Sequence, residues 1–210
     1  MIAVIDYGMG NLHSVSKALE TVGAEVRVTS RPDDLREASG IVLPGVGSFA
    51  KGIRSLRELD LIPALEENVQ VKQKPFLGIC LGMQLTAKVG YEHGRNEGLG
   101  WFDAEVIHLP SDQGFKIPHM GWDDMEVTQF SPLFKELGPE TIFYFVHSYH
   151  FVPRDTKMVT GRCQYGIPFV ASAGFGNIHL VQFHPEKSQK VGLKVLENFL
   201  ELTLSFKGAR

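Results

Sequence analysis

Cysteine is scarce in this chain, with two in 210 residues. Two cysteines cannot build the disulfide framework of a small secreted protein, so we expect a reducing, cytoplasmic location. The net charge is only -3, which argues against nucleic acid as a partner. No apolar run approaches the roughly 20 residues that span a bilayer, and residues 1–6 lack the basic flank of a signal peptide. We therefore expect neither a nucleic-acid nor a membrane partner.

The first half of the chain alternates predicted strands with predicted helices. Short apolar runs predict strands at residues 2–5, 25–29, 40–44 and 76–79. Helical spacing predicts helices through Leu12, Val15 and Leu19, over residues 55–71 with a break at Pro63, and over residues 81–89. This alternation is typical of a parallel sheet with right-handed crossovers and helices on both faces.

The pattern changes after about Gly98. Short strand-like pieces follow, separated by glycine, proline and aspartate, before a last strand at 178–183 and a helix at 191–204. The sequence therefore predicts an α/β fold of three layers. Its mostly parallel central sheet is flanked by helices, and a smaller antiparallel or mixed sheet is added. We expect one domain spanning residues 1–210.

Cys80 lies in Gly78-Ile79-Cys80-Leu81-Gly82, between a predicted strand and a predicted helix. A free cysteine is most often a packed core residue. At a sharp strand-to-helix turn, however, small flanking residues expose the side chain as a nucleophile, and the helix N-terminus favours a thiolate. Leu81 N–H would point at a developing oxyanion. The second cysteine, Cys163, has no such turn and is interpreted as a packed thiol.

His184 and Glu186 come about a hundred residues later, in His184-Pro185-Glu186. If extended geometry continues through Pro185, the two side chains point the same way and the carboxylate can orient the imidazole. Orienting a histidine base is the role of the third member of a catalytic triad. A surface His-Glu pair at the end of a strand is the alternative.

Pro44-Gly45-Val46-Gly47-Ser48 follows another predicted strand, at the edge where α/β proteins place their sites. Glycines let backbone amides approach a ligand, so Val46 or Gly47 N–H is a candidate second oxyanion donor beside Leu81. A plain strand-to-helix turn is equally compatible. The segment is not a phosphate-binding loop, because the Gly-Lys-Ser/Thr ending is missing.

Histidine spacing gives no metal site. His147 and His150 form one close pair with no third ligand nearby, which is more often structural or substrate-facing than metal-binding. We expect neither a metal nor a cofactor.

Gly78-Ile-Cys-Leu-Gly-Met-Gln84 together with His184-Pro-Glu-Lys187 resembles the class I (triad) glutamine amidotransferases over essentially the whole chain. That family hydrolyses the glutamine side-chain amide and passes ammonia to a synthase. The resemblance implies that Cys80 is the nucleophile, His184 the base and then the acid, and Glu186 the orienting carboxylate. It also implies four substrate contacts: Gln84, Glu92 for the α-amino group, and Ser148 and Tyr149 for the carboxylate.

Four further segments look like the glutaminase subunits of imidazole glycerol phosphate synthases, from histidine biosynthesis. They are residues 6–12, 43–49, 118–122 and 143–149. The partner in that family is a (β/α)₈-barrel cyclase, which receives ammonia and forms imidazole glycerol phosphate and an aminoimidazole carboxamide ribotide. The resemblance places Asn11, Trp122 and Lys187 at positions that face the cyclase in a heterodimer.

The chain departs from the pattern of that family in two places. Gly90-Tyr91-Glu92 stands where Ser-Glu-Glu is usual, and Asp123 follows Trp122 where asparagine is commoner. Two other interpretations stay open. One is a different thiol amidase, either the glutaminase subunit for anthranilate or pyridoxal phosphate synthesis or a free-standing enzyme. The other is a binding module that retains the fold, although an intact Cys80, His184 and Glu186 argues against it.

Overall fold

The structure, a computed structural model, describes residues 1–111, 114–138 and 141–206. Its strands are β1 Ile2–Ile5, β2 Val26–Thr29, β3 Gly40–Gly45, β4 Phe76–Cys80, β5 Ala87–Gly90, β6 Asn96–Glu97, β7 Phe102–His108, β8 His119–Val127, β9 Ile142–His147, β10 Tyr149–Pro153, β11 Val159–Tyr165, β12 Ile167–Phe175 and β13 Ile178–Val181. Its α-helices are α1 Leu12–Thr21, α2 Asp34–Glu37, α3 Phe49–Glu58, α4 Leu61–Leu65, α5 Leu81–Leu85 and α6 Gln189–Ser205.

Nine of the strands in the described ranges form a central sheet of order β2-β1-β3-β4-β13-β12-β11-β8-β9. The first five are parallel to one another, and the other four extend the same sheet in antiparallel pairs. The predicted α/β class is confirmed. The antiparallel strands also continue the central sheet, whereas the sequence indicated only that they add to the parallel part.

A smaller mixed sheet, β10-β7-β5-β6, forms the second sheet that the sequence predicted. Its apolar side chains share one buried cluster with the central sheet and with α3 and α5, as Leu56, Leu85, Ala104 and Phe151 illustrate. The two sheets therefore bury apolar surface against each other, which is the main stabilising contribution to such a core.

Helices cover both faces of the parallel strands. Alternation along β3 sends Ile41 and Leu43 into the cluster with α3, α4 and α5, while Val42 joins α1 and α6 on the other face. The long C-terminal helix α6 buries Val195, Leu196 and Phe199 there. The result is the predicted three-layer arrangement. Among the described residues, no helix combines the length and the apolar character needed to cross a membrane.

The predicted helix over residues 55–71 is wrong in its bounds. The first helix, α3, already begins at Phe49, whose N–H donates to the Glu92 carboxylate at 2.6 Å. The break falls at Asp60, which has a left-handed φ of 53°, and not at Pro63. Pro63 is the third residue of α4, where its missing N–H would have no partner within the helix. A π-helical turn, Glu66–Val71, completes the segment.

The predicted helix over residues 81–89 is also too long. The helix α5 ends at Leu85, and Ala87–Gly90 forms strand β5. Residues 87–90 can either continue the helix or pair as β5 with β6 and β7, and they form the strand. This pairing depends on residues distant in the chain, which a local pattern does not contain.

Candidate active site

A sharp strand-to-helix turn places Cys80 at the end of a parallel strand of the central sheet. Strand β4 ends at Cys80, α5 begins at Leu81, and Cys80 itself has φ 53° and ψ −107°. A positive φ is strained for a residue other than glycine, and such strain clusters at functional sites. Gly82 packs so closely on the Leu43 carbonyl that any side chain at position 82 would overlap that backbone. The small residue after the cysteine is therefore a steric requirement of the turn.

His184 and Glu186 meet behind the turn. His184 Nδ1 lies 2.8 Å from Glu186 Oε1, and the side chains are only 3% and 1% exposed. The extended path predicted through Pro185 is wrong, since β13 ends at Val181 and Pro185–Lys187 forms a 3₁₀ turn. It is this turn, and not the alternation of side chains along a strand, that places the Glu186 carboxylate beside the His184 imidazole.

The main chain of His184 is held by strand β9. His184 N–H donates to the Tyr144 carbonyl at 2.9 Å, and Ser188 Oγ donates to the His184 carbonyl at 2.6 Å. Ser188 Oγ also accepts the Tyr144 N–H at 3.0 Å. These three bonds fix where the imidazole stands before any ligand enters.

The protonation of His184 is coupled to Cys80. Burial alone would lower the pKa of His184. A Cys80 thiolate and the Glu186 carboxylate have the larger, opposite effect, and together they raise this pKa to about 10. Because Nδ1 faces Glu186, the buried Nε2 is the nitrogen left for Cys80, and the proton that changes position is on Nε2. A thiolate at Cys80 therefore favours an imidazolium at His184.

A cavity of about 380 Å³ opens in front of Cys80. Eight of the residues predicted for the site line it: Val46, Gly47, Cys80, Leu81, Gln84, Glu92, Ser148 and Tyr149. His184 and Glu186 do not line it and lie behind the thiol. The cavity is large enough for a small amino acid, and its lining mixes backbone, carboxylate, amide and hydroxyl groups.

The candidate oxyanion donors belong to two segments of the chain that line the cavity. Leu81 N–H belongs to the first residue of α5, so it has no acceptor within that helix. Gly47 has a φ of +104°, a backbone conformation that glycine adopts readily and other residues rarely do. The neighbouring Val46 is exposed. The helix behind Leu81 has only five residues, so its dipole is shorter than the sequence predicted.

The residues that the sequence predicts to contact substrate have different hydrogen-bond partners in the structure. Gln84 Nε2 donates to the Tyr149 carbonyl at 2.9 Å and to Gln182 Oε1 at 3.0 Å, which uses both of its hydrogens. One Glu92 oxygen accepts the Phe49 N–H. Ser148 lies in the tight connection between β9 and β10, and its carbonyl accepts the Leu109 N–H at 2.8 Å.

Sequence reasoning missed two buried residues beside the nucleophile. Gln182 Nε2 donates to Cys80 Sγ at 3.5 Å, linking the thiol to Gln84. The Tyr7 hydroxyl is buried without a partner among the described residues, and burial together with Cys80 raises the pKa of Tyr7. Strand alternation puts residues 182 and 184 on the same face, a signal in the sequence that could have identified Gln182.

The residues predicted to face a partner lie on the surface, in two places. Trp122 is 47% exposed and packs edge-on against the Tyr144 ring, with centroids 5.8 Å apart. Lys187 Nζ lies 5.5 Å from the centre of the same ring. Asn11 is exposed at the N-cap of α1, where its side chain accepts the Ser14 N–H.

The remaining histidines and the second cysteine have other surroundings. His147 lines the cavity and His150 is buried. Within the described ranges, no group of three or more His, Cys, Asp or Glu is arranged to hold a metal ion. Cys163 is buried in β11, and burial raises the pKa of its thiol to about 12. Cys163 is therefore the packed thiol that the sequence indicated.

Comparison with protein families gives the class. The model of the family "Glutamine amidotransferase class-I" matches residues 3–202. Two solved structures from Thermotoga maritima have the same fold at low identity. PurLQS has a TM-score of 0.75 and 20% identity, over 98% of this chain and 97% of that one. A glutamine amidotransferase has a TM-score of 0.68 and 18% identity, over 97% of each chain. The chain belongs to the class I glutamine amidotransferases.

Comparison with curated proteins narrows the assignment to one family within this class. The chain is 50% identical to "Imidazole glycerol phosphate synthase subunit HisH 1" of Campylobacter jejuni, over 96% of this chain and 100% of that protein. It is 50% identical to "Imidazole glycerol phosphate synthase subunit HisH" of Aquifex aeolicus, over 93% and 94%, and 48% identical to that of Moorella thermoacetica, over 96% and 94%. Within the class, these relatives place the chain in the family of HisH subunits.

Proposed function

We propose that this chain hydrolyses L-glutamine to glutamate and ammonia through a thioester on Cys80. The observation that carries the proposal is the position of the Cys80 thiol, between the open cavity and the buried His184-Glu186 pair. The family of the chain supports the same chemistry. Equimolar release of glutamate and ammonia by the purified chain with its synthase partner tests it, and the absence of release would overturn it.

The reaction follows from the arrangement of the three side chains. His184 Nε2 takes the thiol proton, and Cys80 Sγ attacks the amide carbon, so that a C–S bond forms and negative charge moves to the amide oxygen. Leu81 N–H and a backbone N–H of Val46 or Gly47 stabilise that oxyanion. His184 then gives its proton to the leaving nitrogen as the C–N bond breaks and ammonia departs.

The second half of the reaction uses the same groups. A water gives a proton to His184 and attacks the thioester carbon. The C–S bond breaks, Cys80 recovers the proton, and glutamate is released. Glu186 stays ionised throughout, because its role is to hold the His184 tautomer and to stabilise the imidazolium. Each backbone donor to the oxyanion is expected to contribute roughly 10²- to 10³-fold in rate.

The charged ends of glutamine meet the far wall of the cavity. We assign the α-amino group to Glu92. One carboxylate oxygen of Glu92 accepts the Phe49 N–H, and the other is available to the substrate. Ser148 and the Tyr149 segment take the α-carboxylate. Gln84 contacts substrate through its oxygen, because both hydrogens on its nitrogen already hold Tyr149 and Gln182. Glutamine is thereby oriented with its amide at Cys80.

The ammonia is used by a partner. We propose a heterodimer with a (β/α)₈-barrel cyclase in imidazole glycerol phosphate synthase, serving histidine biosynthesis in the cytoplasm. The names of the curated relatives support this assignment. We also propose that residues 1–210 form a single domain, since one buried cluster includes residues of both sheets.

The partner surface includes the exposed face of the β8–β9 hairpin. Met120 and Trp122 on β8 and Ile142 on β9 are exposed on that face, with Lys187 beside the Tyr144 ring. An aromatic residue surrounded by aliphatic side chains and a cation has the composition of an interface centre. Asn11, at the exposed N-cap of α1, is the second part of the proposed surface.

Substituting Trp122 with alanine is expected to weaken cyclase binding by roughly 30-fold, because central interface aromatics contribute about 2 kcal/mol or more. Isothermal titration calorimetry of the two proteins measures this. Phe130→Ala is the matched control, since Phe130 is 84% exposed and lies outside the proposed surface. Equal affinities for the two variants would remove Trp122 from the interface.

A further inference from the structure

Two buried histidines face each other at the edge of the central sheet. His119 begins β8, and His147, opposite it in register, ends β9. His119 Nδ1 lies 3.1 Å from His147 Nε2. The His119 ring is stacked between Tyr165 and Phe145, with centroids 3.9 and 4.9 Å apart. This packing fixes the ring plane, so its nitrogens keep their neighbours.

The outer nitrogens of the pair both face hydrogen-bond acceptors. His119 Nε2 lies 3.4 Å from Asp123 Oδ2. His147 Nδ1 lies 2.9 Å from the Tyr149 carbonyl. An ionised carboxylate and a carbonyl can only accept. The four groups therefore form a row, Asp123-His119-His147-Tyr149, with an acceptor at each end.

Counting protons along the row gives its central property. Each of the three contacts needs one proton to become a hydrogen bond, and two neutral imidazoles supply only two. With both protons on Nδ1, the Asp123 contact lacks a donor. With both on Nε2, the Tyr149 carbonyl lacks one. A third proton, shared between Asp123 and His119, completes all three bonds.

The surroundings keep the third proton from being bound at neutral pH. Burial, helped by His119, His150 and His184 and opposed by the bond to Tyr149, lowers the pKa of His147 to about 3, so this ring stays neutral. Burial also lowers the pKa of His119, although Asp123 opposes this. Among the described residues, the row is also near Asp124 on β8 and near Tyr165 and Cys163 on β11, and the Cys163 thiol stays neutral. The row is thus one proton short above about pH 6.5.

The shortage affects the glutamine cavity. A carboxylate is a stronger acceptor than a carbonyl, so an ionised Asp123 draws the His119 proton to Nε2 and competes with the bond from His147 to Tyr149. The Tyr149 carbonyl also accepts from Gln84, and Val146, His147, Ser148 and Tyr149 all line the cavity. Loss of the bond to the carbonyl loosens this wall.

We propose that Asp123, His119 and His147 are positioning residues for glutamine, and that the Asp123 carboxylate sets which nitrogens of the two histidines carry protons. A proton shared between Asp123 and His119 completes the bond to Tyr149 and orders the cavity wall. The ligand in this proposal rests on the proposed function, whereas the proton arrangement does not. The Asp123 side chain is one third exposed, so this end of the row is in contact with solvent.

The variant Asp123→Asn tests the arrangement directly. An asparagine amide donates to His119 Nε2, so both histidines keep their protons on Nδ1 at every pH. Nitrogen-15 NMR of the histidine rings in the full chain is expected to show pH-independent Nδ1–H forms in D123N. The unsubstituted chain should gain Nε2–H forms as the pH rises from 5 to 7, because the pKa of His119 is lowered below its usual value of about 6.5. Asp124→Asn is the matched control and should behave as the unsubstituted chain. Identical ring signals in the unsubstituted chain and D123N would overturn the proposal.

Glutamine affinity tests the consequence. In the non-hydrolysing Cys80→Ala background, calorimetry is expected to show glutamine binding about three- to tenfold weaker at pH 7 than at pH 5, since one hydrogen bond is lost. The same background with D123N should show no such change. Equal pH dependence in both would overturn the positioning role even if the NMR result holds. A chain that binds no glutamine at either pH contradicts the proposed function, and the ring signals then decide the proton arrangement separately.

Discussion

Cys80→Ala is expected to lower glutamine hydrolysis by at least about 10⁴-fold, to the level of background, because no other group can form the thioester. The neighbouring groups do not replace it. Gln182 is an uncharged amide, and Tyr7 keeps its proton because burial and Cys80 raise its pKa. The rate of glutamate formation by the complex measures the effect.

Binding of the cyclase should be unchanged in that variant. Cys80 is 5% exposed and lies at the base of the cavity, away from the exposed face of the β8–β9 hairpin. A dissociation constant within twofold of the unsubstituted protein is expected. Cys163→Ala is the matched control, because it removes a buried neutral thiol in β11 and should leave the rate within a few fold. Hydrolysis that survives C80A, or is lost in C163A, would contradict the assignment of the nucleophile.

Glu186→Gln has the second-largest expected effect, a fall in kcat of roughly 10²- to 10⁴-fold with little change in KM. The uncharged amide no longer raises the pKa of His184. It can also donate to Nδ1, which leaves the proton on Nε2 and turns the histidine away from its role as a base. Because Glu186 is buried behind the thiol, substrate binding is not touched.

The pH profile separates this role from a structural one. Since Glu186 contributes to the raised pKa of His184, the group that must be an imidazolium for ammonia to leave should lose its proton at lower pH in E186Q. The profile of kcat should therefore shift to lower pH on its alkaline side. Glu20→Gln, at an exposed position on α1, should change neither kcat nor the profile. An E186Q enzyme within threefold of normal kcat would exclude the orienting role.

Local sequence was sufficient for the parallel strands and for the nucleophile turn. The apolar runs at β1, β3 and β4 are buried on both faces, which gives them an unambiguous pattern. The glycines around Cys80 signalled a turn too tight for other residues, and the packing of Gly82 on Leu43 has the same cause. These features are encoded within a few residues of one another.

Features that depend on distant residues were not accessible in the same way. The start of α3 at Phe49 depends on Glu92, 43 residues later, and the end of α5 depends on the pairing of β5 with β7. The Gln182 bond to Cys80 and the His119-His147 contact likewise join segments far apart in the chain. Each depends on how segments far apart in the chain pack together, which sequence spacing does not specify.

The most direct test of the central claim is the rate of glutamine hydrolysis by the purified chain, measured alone and then with the barrel cyclase and its ribonucleotide substrate. Because ammonia is useful only when delivered, we expect a low rate alone, a marked increase in the complex, and co-elution of the two proteins. An unchanged rate and no co-elution would contradict the account and favour a glutaminase for another synthase or a free-standing amidase.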